Sequence, residues 1–373
     1  MNGLKKIWIL LLFSCSMILM AQDPEPLPIG AAAPGFELMG IDGNIYSLES
    51  FSDAEVLTIV FTANHCPTAQ AYEARIHKLS ADYAPEQMQL LAISSNHPDA
   101  VCLEELGYTD LGDTFEDMKI RAADQEYNYP YLYDGDEQLT ALAYGAVATP
   151  HVFIFDGERK LRYRGRIDEM EDPYQQPEKH DARNAIEALL SGEQVPVETT
   201  RAFGCSMKWI SKMAWRKQLD EQWAEKPAPL EEIDDEGVKK LLMNQGDQLT
   251  LINLWATWCG PCIIEFPELV KLQRMYGERN FRLVTISVDR PEQKKKVNDV
   301  LEDKQAAFPN YLYQGADKEP LFELIDPQWQ GNIPYTMIVK PGGDVLYRHS
   351  GIIDPLEVKK KIVGQLGRYF ADD

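Results

Sequence analysis

The sequence predicts an α/β protein in which one fold, a central mixed sheet flanked by helices, occurs twice in tandem. Two observations predict this arrangement. The chain has 373 residues, a length that corresponds as a prior to two domains. One order of elements also occurs in each half: an apolar strand, a cysteine motif, a helix, a second strand and a hairpin preceded by proline. Such a repeat indicates two copies of one fold.

The first copy opens with a continuous β-branched and aromatic run, which is the pattern of a buried strand. Its predicted elements are, in order, a strand over 56–61, the pair Cys66-Pro67, a helix over 69–83, a strand over 88–94, and a hairpin of 152–156 and 161–163 around Gly157. We place this domain at residues 28–200 and a connector, which contains Cys205 and a helix over 208–223, at residues 201–228.

The second copy, at residues 229–373, repeats the order of the first. Its predicted elements are a strand over 249–255, a helix over 259–276, a strand over 281–288, a helix over 291–302, strands over 335–339 and 345–349 joined at Pro341-Gly342-Gly343, and a closing helix over 353–369. The glycines and the proline between the last two strands are typical of a hairpin turn.

The composition excludes one class of partner. The formal net charge is -22 and the sequence pI is about 4.7, whereas binding to a phosphate backbone requires clustered Lys and Arg. We therefore expect no nucleic-acid partner. The first residues carry two lysines, then an apolar run from 7 to 21 that is short for a transmembrane helix. This pattern predicts a signal peptide at residues 1–21.

We accordingly expect an exported, periplasmic or otherwise extracytoplasmic protein. The alternative is that residues 1–21 are retained as an anchor, in which case the chain contacts the membrane there. Export places the cysteines where disulfides persist. Of six cysteines, Cys15 falls within the predicted signal peptide, so five remain. This odd number leaves at least one thiol of a monomer without an intramolecular partner.

The strongest chemical signal is Trp258-Cys259-Gly260-Pro261-Cys262, which follows an apolar strand and opens a helix. A thiolate is the nucleophile of disulfide exchange, and an ordinary cysteine, with a pKa of about 8.5, is mostly protonated at neutral pH. The positive end of a helix dipole stabilises the thiolate. We expect an exposed Cys259 there, and a more buried Cys262 that attacks the mixed disulfide. The alternatives are a structural disulfide or half of a zinc site, which normally needs a second Cys/His pair.

Residues from about 247 to 367 resemble the thioredoxin superfamily, and within it the exported TlpA/ResA-like branch. The matching residues are 258–262, Glu265-Phe266-Pro267, Gly331-Asn332-Ile333-Pro334-Tyr335-Thr336 and Gly351. The resemblance implies a cis Ile333–Pro334 bond packed against the cysteine pair. It also implies that this loop binds an incoming peptide as an added strand, with Trp258, Ile333 and Pro334 as substrate-binding residues.

One residue departs from thioredoxin itself. The buried Asp that the superfamily places six residues before the first cysteine is Asn253 in this chain. Because Asn cannot take a proton, another base must serve Cys262. Glu265 lies one turn beyond Cys262 on the same helix face, so we predict an acid–base role for it. The alternative is an ordinary first-turn acid that complements the helix dipole.

Residues 28–210 resemble the AhpC/TSA-like redoxins. The matching residues are Asn64-His65-Cys66-Pro67, Tyr72-Glu73, Ala148-Thr149-Pro150, residues 163–168 and Gly204-Cys205-Ser206-Met207-Lys208-Trp209. Cys66 occupies the helix N-terminal nucleophile position, and Thr149-Pro150 corresponds to the substrate-binding cis-proline loop. Residue 69 is Ala69, so Cys66 has no local disulfide partner. A resolving role for Cys205 is a hypothesis.

The first domain leaves its chemistry open. The peroxiredoxin pattern Pro-x-x-x-Thr-x-x-Cys is missing, because Ala63 stands three residues before Cys66. Arg164 and Arg166 lower the pKa of Cys66 only if the chain folds them near it. No motif surrounds Cys102, so we expect a buried, inert thiol.

The histidines of the first domain raise the alternative of a metal. His65, His97 and His151 suggest a soft metal such as Cu(I) on Cys66, but histidines at strand ends are more often hydrogen-bonded groups, and we predict no metal and no cofactor. The sequence therefore predicts an exported thiol–disulfide oxidoreductase working through Cys259 and Cys262, with an N-terminal monothiol redoxin domain.

Further hypotheses accompany this prediction. The expected partners are disulfide-bearing proteins or small thiols, together with an upstream membrane or exported reductant. The alternatives are a thiol peroxidase that uses Cys66 and is supplied by the second domain, and a first domain that binds a client or metal without turnover. We also expect a relay in which Cys259 reduces an oxidised first domain of the same molecule, because tethering raises effective concentration.

Overall fold

The computed structural model describes residues 24–170, 172 and 174–369. The predicted signal peptide at 1–21, and Cys15 with it, lie outside the described residues. Two sheets, each flanked by helices, account for the fold. The two-copy α/β architecture that the sequence predicts is therefore confirmed. None of the helices in the described part of the chain is both long and apolar enough to cross a membrane.

The first domain forms its sheet from short strands and one long parallel pair. Its strands are β1 (Glu37–Gly40), β2 (Ile45–Ser47), β3 (Val56–Thr62), β4 (Met88–Ser94), β5 (Tyr131–Tyr133), β6 (Ala148–Thr149), β7 (His151–Phe155), β8 (Leu161–Gly165) and β9 (Cys205–Ser206). Its helices are α1 (Pro67–Ala81), α2 (Phe115–Asp124), α3 (Leu139–Tyr144) and α4 (Asp181–Leu190), and α5 (Met213–Ala224) leads to the second domain.

The second domain follows with a longer run of parallel strands. Its strands are β10 (Leu230–Ile233), β11 (Leu249–Trp255), β12 (Phe281–Ser287), β13 (Asn310–Tyr313), β14 (Tyr335–Val339) and β15 (Val345–Ser350). Its helices are α6 (Asp235–Met243), α7 (Gly260–Tyr276), α8 (Lys294–Asp303), α9 (Glu319–Ile325) and α10 (Pro355–Leu366). Single 3₁₀ turns occur at Leu48–Phe51, Pro98–Ala100, Leu103–Leu106, Ile210–Lys212 and Pro291–Gln293.

The five strands β5-β4-β3-β7-β8 of the first sheet correspond to β13-β12-β11-β14-β15 of the second. The strand beside them is antiparallel in the first sheet and parallel in the second, and β6 and β9 form a separate two-stranded sheet. The order in the first is β2-β1-β5-β4-β3-β7-β8, and in the second β10-β13-β12-β11-β14-β15. In each, the strand before the cysteine motif lies at the centre. It pairs in parallel with the strand that follows the helix, and antiparallel with the first strand of the hairpin. The central strands β3 and β11 are buried along their whole length, which explains their continuous apolar sequence.

Two boundaries differ from the sequence prediction. The helix predicted over 208–223 is a 3₁₀ turn followed by α5, and the closing helix ends at Leu366, before Gly367. The predicted connector also begins inside the first domain, because Met207 and Trp209 are buried in the core beneath its sheet. Their apolar side chains contribute to that core, so residues 204–209, which we name the strap, belong structurally to the first domain.

The domains touch through the segment 103–110 of the first and the carboxyl end of α7 in the second. Arg274 forms an ion pair with Glu104 at 2.8 Å, and the Tyr276 hydroxyl donates to the carbonyl of Thr109 at 2.8 Å. Arg368 forms an ion pair with Asp110 at 2.6 Å. Asp110 is 1 % exposed, so this pair is better shielded from water than a surface salt bridge.

Candidate functional site

The dithiol of the second domain lies where the sequence predicts it, at the junction of β11 and α7. Cys259 is the N-cap of α7, its sulfur accepts a hydrogen bond from the amide of Cys262 at 3.2 Å, and the two form a disulfide. Pro261 sits in the first turn, where its missing amide hydrogen costs nothing. The free amides and dipole of this helix end favour a sulfur anion on reduction.

Cys259 is less accessible than the sequence prediction of an exposed cysteine. It is 5 % exposed and Cys262 is 2 % exposed. The reason is the loop before β14, in which the Ile333–Pro334 bond is cis, as the resemblance implies. The carbonyl oxygen of Ile333 lies 3.6 Å from the Cys259 sulfur and covers it. Cys259 is still the outer member of the pair.

Large apolar side chains are exposed in the segments that flank the dithiol. Trp258, the residue before the motif, is 65 % exposed. Two isoleucines that the sequence reasoning missed add to it: Ile264 in the second turn of α7 and Ile352 after β15, which are 70 % and 48 % exposed. Large apolar side chains left in water next to a reactive group indicate a contact surface. The available signal was the position of Ile264, two residues past Cys262.

Thr257 is held in place by an aspartate that the sequence reasoning also missed. Asp289, which follows β12, accepts from the Thr257 amide and from the Thr257 hydroxyl, both at 2.8 Å. Asp289 is 1 % exposed and also accepts from Ser287 at 2.8 Å. A buried carboxylate with several donors is rigid, so this group fixes the loop that presents Trp258 and leads into Cys259.

Glu265 is buried behind the dithiol rather than exposed on the first turn. It is 2 % exposed. One carboxylate oxygen accepts from the Asn253 amide at 2.7 Å and the other from the Ile353 backbone at 2.8 Å. Burial raises the pKa of Glu265, although both of these hydrogen bonds oppose the shift. The Asn253 side chain also donates to Thr336 at 2.9 Å. Asn253 and Glu265, separate observations in the sequence, therefore form one buried pair.

The first domain repeats this arrangement with a single cysteine in its motif. Cys66 is the N-cap of α1, and its sulfur accepts from the amide of Ala69 at 3.4 Å. The Thr149–Pro150 bond is cis, and the carbonyl oxygen of Thr149 lies 3.1 Å from the Cys66 sulfur. Cys66 is 0 % exposed. The backbone groups that surround Cys259 therefore also surround Cys66.

The strap brings Cys205 onto Cys66. Strand β9 pairs antiparallel with β6, with Cys205 opposite Thr149. Cys205 packs against Cys66, Ala63 and Ala69, so the two thiols are neighbours. Cys66, Cys102 and Cys205 are all thiols in the structure. The sequence separates Cys66 from Cys205 by more than a hundred residues, yet the fold makes them direct neighbours.

The pair is electrostatically unequal. Burial opposes ionisation of Cys66, but the hydrogen bond from Cys205 and the attraction of His65 outweigh it, so the pKa of Cys66 lies below its ordinary value. The hydrogen bond to Cys66, together with burial, raises the pKa of Cys205. The two shifts run in opposite directions, so Cys66 is the more acidic thiol of the pair.

His65 pairs with a buried aspartate that the sequence reasoning missed. Its Nδ1 lies 2.6 Å from Asp113, and both side chains are almost fully buried. Burial opposes protonation of His65, but the Asp113 carboxylate outweighs it and raises the pKa. Asp113 also accepts from the backbone of Asn64 at 2.8 Å and from the Asn96 side chain at 2.8 Å. No local motif marks Asp113, which follows Cys66 by 47 residues.

The two arginines considered for Cys66 lie elsewhere. Arg166 forms an ion pair with Asp181 at 2.7 Å. Arg164 acts on His151, whose pKa falls to about 3 through burial and through the positive charge of that arginine. The groups that lower the pKa of Cys66 are thus Cys205, His65, Thr149 and Ala69.

The remaining candidates have ordinary structural surroundings. His97 accepts from the Asp99 amide at 3.1 Å. Within the described ranges, no group of three His, Cys, Asp or Glu side chains is arranged to hold a metal ion. Cys102 is 2 % exposed, and burial together with Glu105 and Glu104 raises its pKa to about 11. It therefore stays a protonated thiol at neutral pH.

The two sites face different parts of the molecule. Gln70, one turn after Cys66, contacts Arg368 of the second domain at 3.3 Å, so Cys66 lies beside the domain interface. Cys259 is at the amino end of α7, whereas Arg274 of the interface is near its carboxyl end, roughly 21 Å along the helix at 1.5 Å per residue. In this arrangement the Cys66 and Cys259 sulfurs do not meet.

Several relatives of this chain are named thiol–disulfide oxidoreductases. The thiol-disulfide oxidoreductase ResA of Oceanobacillus iheyensis is 26% identical over 129 residues, which are 35% of this chain and 57% of that protein. The sporulation thiol-disulfide oxidoreductase A of Bacillus subtilis is 23% identical over 151 residues, 39% of this chain and 87% of that protein. The chain thus spans little more than half the length of the first of these relatives.

Solved structures resemble parts of the chain. A hypothetical protein from Sinorhizobium meliloti 1021 is 31% identical, with a TM-score of 0.45, and the match covers 50% of this chain and 97% of that one. A putative thiol:disulfide interchange protein DsbE from Chlorobium tepidum is 23% identical, with a TM-score of 0.29, and the match covers 34% of this chain and 85% of that one.

The family comparison covers both copies of the fold. The AhpC/TSA family matches residues 29–164 and again residues 225–348, which together are well over half of the chain. Each segment contains one of the two helix N-terminal cysteine motifs described above. The chain belongs to the AhpC/TSA family, as a thioredoxin-superfamily redoxin related to thiol–disulfide oxidoreductases.

Proposed function

We propose that this protein is an exported thiol–disulfide oxidoreductase that exchanges disulfides through Cys259 and Cys262. The observation that carries the proposal is the Cys259–Cys262 disulfide, which caps a helix N-terminus and lies against the carbonyl of Ile333. A structural disulfide would not need a helix end that stabilises a sulfur anion, nor exposed apolar side chains around it.

The exchange proceeds in two displacements. In the reduced enzyme, the Cys259 thiolate attacks one sulfur of a partner disulfide, and the other partner sulfur leaves as a thiolate that takes up a proton. Cys262 then loses its proton and attacks the Cys259 sulfur, which releases the second partner thiolate. The products are the Cys259–Cys262 disulfide and a partner dithiol, so two electrons pass to the partner.

In this scheme Glu265 accepts and returns the proton of Cys262, and Asn253 holds Glu265 in position. The Glu265 carboxyl is buried one turn beyond Cys262, its pKa is raised, and Asn253 fixes its orientation. A raised pKa brings a carboxyl closer to the working pH, where a general acid–base group is most effective. The alternative, a first-turn acid that interacts with the helix dipole, is disfavoured by burial of the side chain.

The partner binds as an extended segment beside Ile333. No segment of the described residues pairs with the backbone at that position, so it can accept an added strand. Trp258, Ile264 and Ile352 supply the apolar surface around it. Disulfide-bearing proteins or small thiols fit this site, and an upstream membrane or exported reductant returns the disulfide to the dithiol.

For the first domain we propose a two-cysteine redox site, Cys66 with Cys205 as its resolving partner. Contact between the two residues supports this hypothesis. Oxidation removes two electrons and two protons and joins the sulfurs in a disulfide. A thiol peroxidase at Cys66 is the alternative, in which a hydroperoxide is the oxidant. A third alternative is a domain that binds a client without turnover, and it predicts two inert thiols.

The activity of the full chain on insulin disulfides tests the dithiol. Cys259→Ser is expected to reduce turnover to the uncatalysed rate, because the attacking thiolate is lost. Cys262→Ser is expected to accumulate mixed disulfides through Cys259. The matched control is Cys66→Ser, which should retain the turnover of the unaltered protein. Continued turnover by the Cys259→Ser protein would show that the assignment is wrong.

The oxidation state of the first domain tests the second part. Peptide mass spectrometry after treatment with diamide, a two-electron thiol oxidant, should find a Cys66–Cys205 disulfide, with Cys102→Ser as the control that leaves it unchanged. Treatment with hydrogen peroxide tests the peroxidase alternative. A peroxidase should react stoichiometrically with the peroxide and give either the same disulfide or a sulfenate on Cys66. Two unreacted thiols would favour the binding domain.

A further inference from the structure

The strap occupies, in the first domain, the place that a partner strand takes in the second. Strand β9 pairs antiparallel with the residues just before the cis-proline of the first domain, with Cys205 opposite Thr149. Thr149 corresponds to Ile333, because each precedes a cis-proline and places its carbonyl against the sulfur of a helix N-terminal cysteine. Cys205 is therefore presented to Cys66 as a partner's cysteine would be.

The strap is an integral part of the domain and is not loosely attached. The Lys208 amide donates to Asn96 at 2.8 Å, the Lys208 side chain forms an ion pair with Glu105, and the Gln138 side chain donates to the Lys208 carbonyl at 2.9 Å. Met207 and Trp209 are buried in the core. Pulling the strap away would leave its buried partners without these hydrogen bonds and would expose apolar side chains, which costs free energy, so the strap stays in place.

Because of this packing, the two cysteines differ in their accessibility to solvent. Cys66 is 0 % exposed, whereas Cys205 keeps part of its surface in solvent. A second strand cannot add beside Thr149, because β9 already pairs there. An incoming thiol therefore reaches Cys205 and not Cys66, which inverts the order of the second domain, where the cysteine at the helix N-terminus is the outer one.

The same packing makes Cys66 the better leaving group. In thiol–disulfide exchange the sulfur that leaves is the one whose thiolate is more stable. The Cys66 thiolate receives hydrogen bonds from the helix end at Ala69, and the His65–Asp113 pair lies beside it. Cys205 lies in strand β9 and is not the N-cap of a helix. Accessibility and leaving-group chemistry thus assign the same roles.

We propose that the first domain reacts with its reductant at Cys205, and that Cys66 is the buried leaving group. This proposal rests on the Cys66–Cys205 disulfide of the proposed function. In the step, the thiolate of a thiol reductant attacks the Cys205 sulfur. A disulfide forms between reductant and Cys205, the Cys66–Cys205 bond breaks, and Cys66 leaves as a thiolate with the electron pair of that bond. No other reactant is needed.

The test uses the full chain with its other four cysteines, Cys15, Cys102, Cys259 and Cys262, changed to serine. Diamide first forms the Cys66–Cys205 disulfide. A limiting amount of glutathione, a monothiol that cannot complete the reduction, is then added. N-ethylmaleimide stops the reaction, and peptide mass spectrometry locates glutathione and maleimide. We expect glutathione on Cys205 and maleimide on Cys66, with a preference of roughly tenfold or more.

The matched control is the same oxidised protein unfolded in urea, where burial no longer distinguishes the sulfurs and the preference should fall towards one. A native protein that carries glutathione mainly on Cys66, or equally on both cysteines, would overturn the role assignment while leaving the disulfide itself intact. Failure of diamide to form the disulfide would instead overturn the proposed two-cysteine site, and this assignment with it.

Discussion

The two domains place the same backbone groups around a cysteine but differ in what lies at the edge beside the cis-proline. In the second domain the carbonyl of Ile333 approaches Cys259, and no described segment pairs with that position. In the first, the carbonyl of Thr149 approaches Cys66, and the strap fills the edge. The comparison teaches that the helix N-terminus provides reactivity, while the occupancy of the neighbouring edge decides which sulfur a partner reaches.

The domains also differ in where the second sulfur comes from. Cys262 is one helical turn from Cys259, so the pair is contained within α7. Cys205 comes from a strand that is remote in sequence. The relay that the sequence suggests stays a prediction, and it has a structural requirement: because Cys259 lies at the far end of α7 from the interface, transfer within one chain needs the domains to separate.

The largest expected effect concerns the acid–base group that only the second domain contains. Glu265→Gln should slow turnover on insulin disulfides by on the order of 10²-fold, the lower end for loss of an acid–base group. Gln cannot exchange a proton, and one of its amide hydrogens would face the Ile353 amide in place of an acceptor. Glu268→Gln, on the same helix and paired with Lys271 at the surface, is the control and should keep the unaltered rate.

The sign of the pH dependence follows from the raised pKa of Glu265. The fold favours its protonated form, so it contributes stability below its ordinary pKa, and this contribution is lost as the pH rises through the folded pKa. Comparison of the free energy of unfolding at acid and neutral pH should show this loss in the unaltered protein but not in Glu265→Gln. If the free energy of unfolding depends on pH in the same way in both proteins, the alternative that Glu265 only complements the helix dipole would be favoured.

An effect of the same order or smaller is expected on opening the strap of the first domain. Gly204 has φ +136°, and a Cβ there would lie 2.1 Å from the Thr149 carbonyl oxygen. Gly204→Ala should therefore displace the strap, and a strain of about 1–3 kcal/mol raises the open population by roughly 5- to 150-fold. The rate of Cys66 alkylation by iodoacetamide measures this population.

The control for Gly204→Ala is Gly192→Ala. Gly192 also has a positive φ, +72°, but its Cβ would have no atom within 4 Å. It should leave Cys66 protected. If Cys66 is alkylated at the same rate in both variants and in the unaltered protein, the strap does not limit access to Cys66. The proposed difference in access between the two domains would then be wrong.

The residue before the N-cap cysteine is a further difference between the two helix N-termini, and in the first domain it is His65. Asp113→Asn removes the carboxylate that raises the pKa of His65, so the imidazole should be protonated less readily and stabilise the Cys66 thiolate less. The pKa of Cys66, now lowered, should rise by roughly one unit. The thiolate absorbance at 240 nm during titration measures this shift, in a chain with Cys259 and Cys262 changed to serine. Asp99→Asn, which alters an exposed aspartate of the same domain, should leave the midpoint unchanged.

The smallest effect is expected at the domain interface. Tyr276→Phe removes the hydroxyl that donates to the Thr109 carbonyl between the domains. Loss of one such hydrogen bond should lower the free energy of unfolding by about 1 kcal/mol, measured by urea denaturation. Tyr174→Phe, which alters a side chain that is 83 % exposed, is the control. An unchanged stability in Tyr276→Phe would indicate that the domains are not held together there.

Much of the fold could be predicted because its signals are local. The apolar runs that become β3 and β11 and the helix-opening cysteines are each read from a few consecutive residues. The short strands β5, β6, β9 and β10 were not predicted. Strands of two to four residues carry too little periodicity to be recognised, and their pairing depends on partners elsewhere in the chain.

The sequence by itself determined the two copies of the fold and the dithiol at Cys259 and Cys262, because strand, motif and helix are contiguous there. Tertiary structure alone decided three contacts: Cys205 packs against Cys66, Asp113 pairs with His65, and Asn253 hydrogen-bonds to Glu265. Each of these contacts joins residues between 12 and 139 positions apart. Their energies come from burial and from mutual orientation, which exist only once the sheets have formed and brought those positions together.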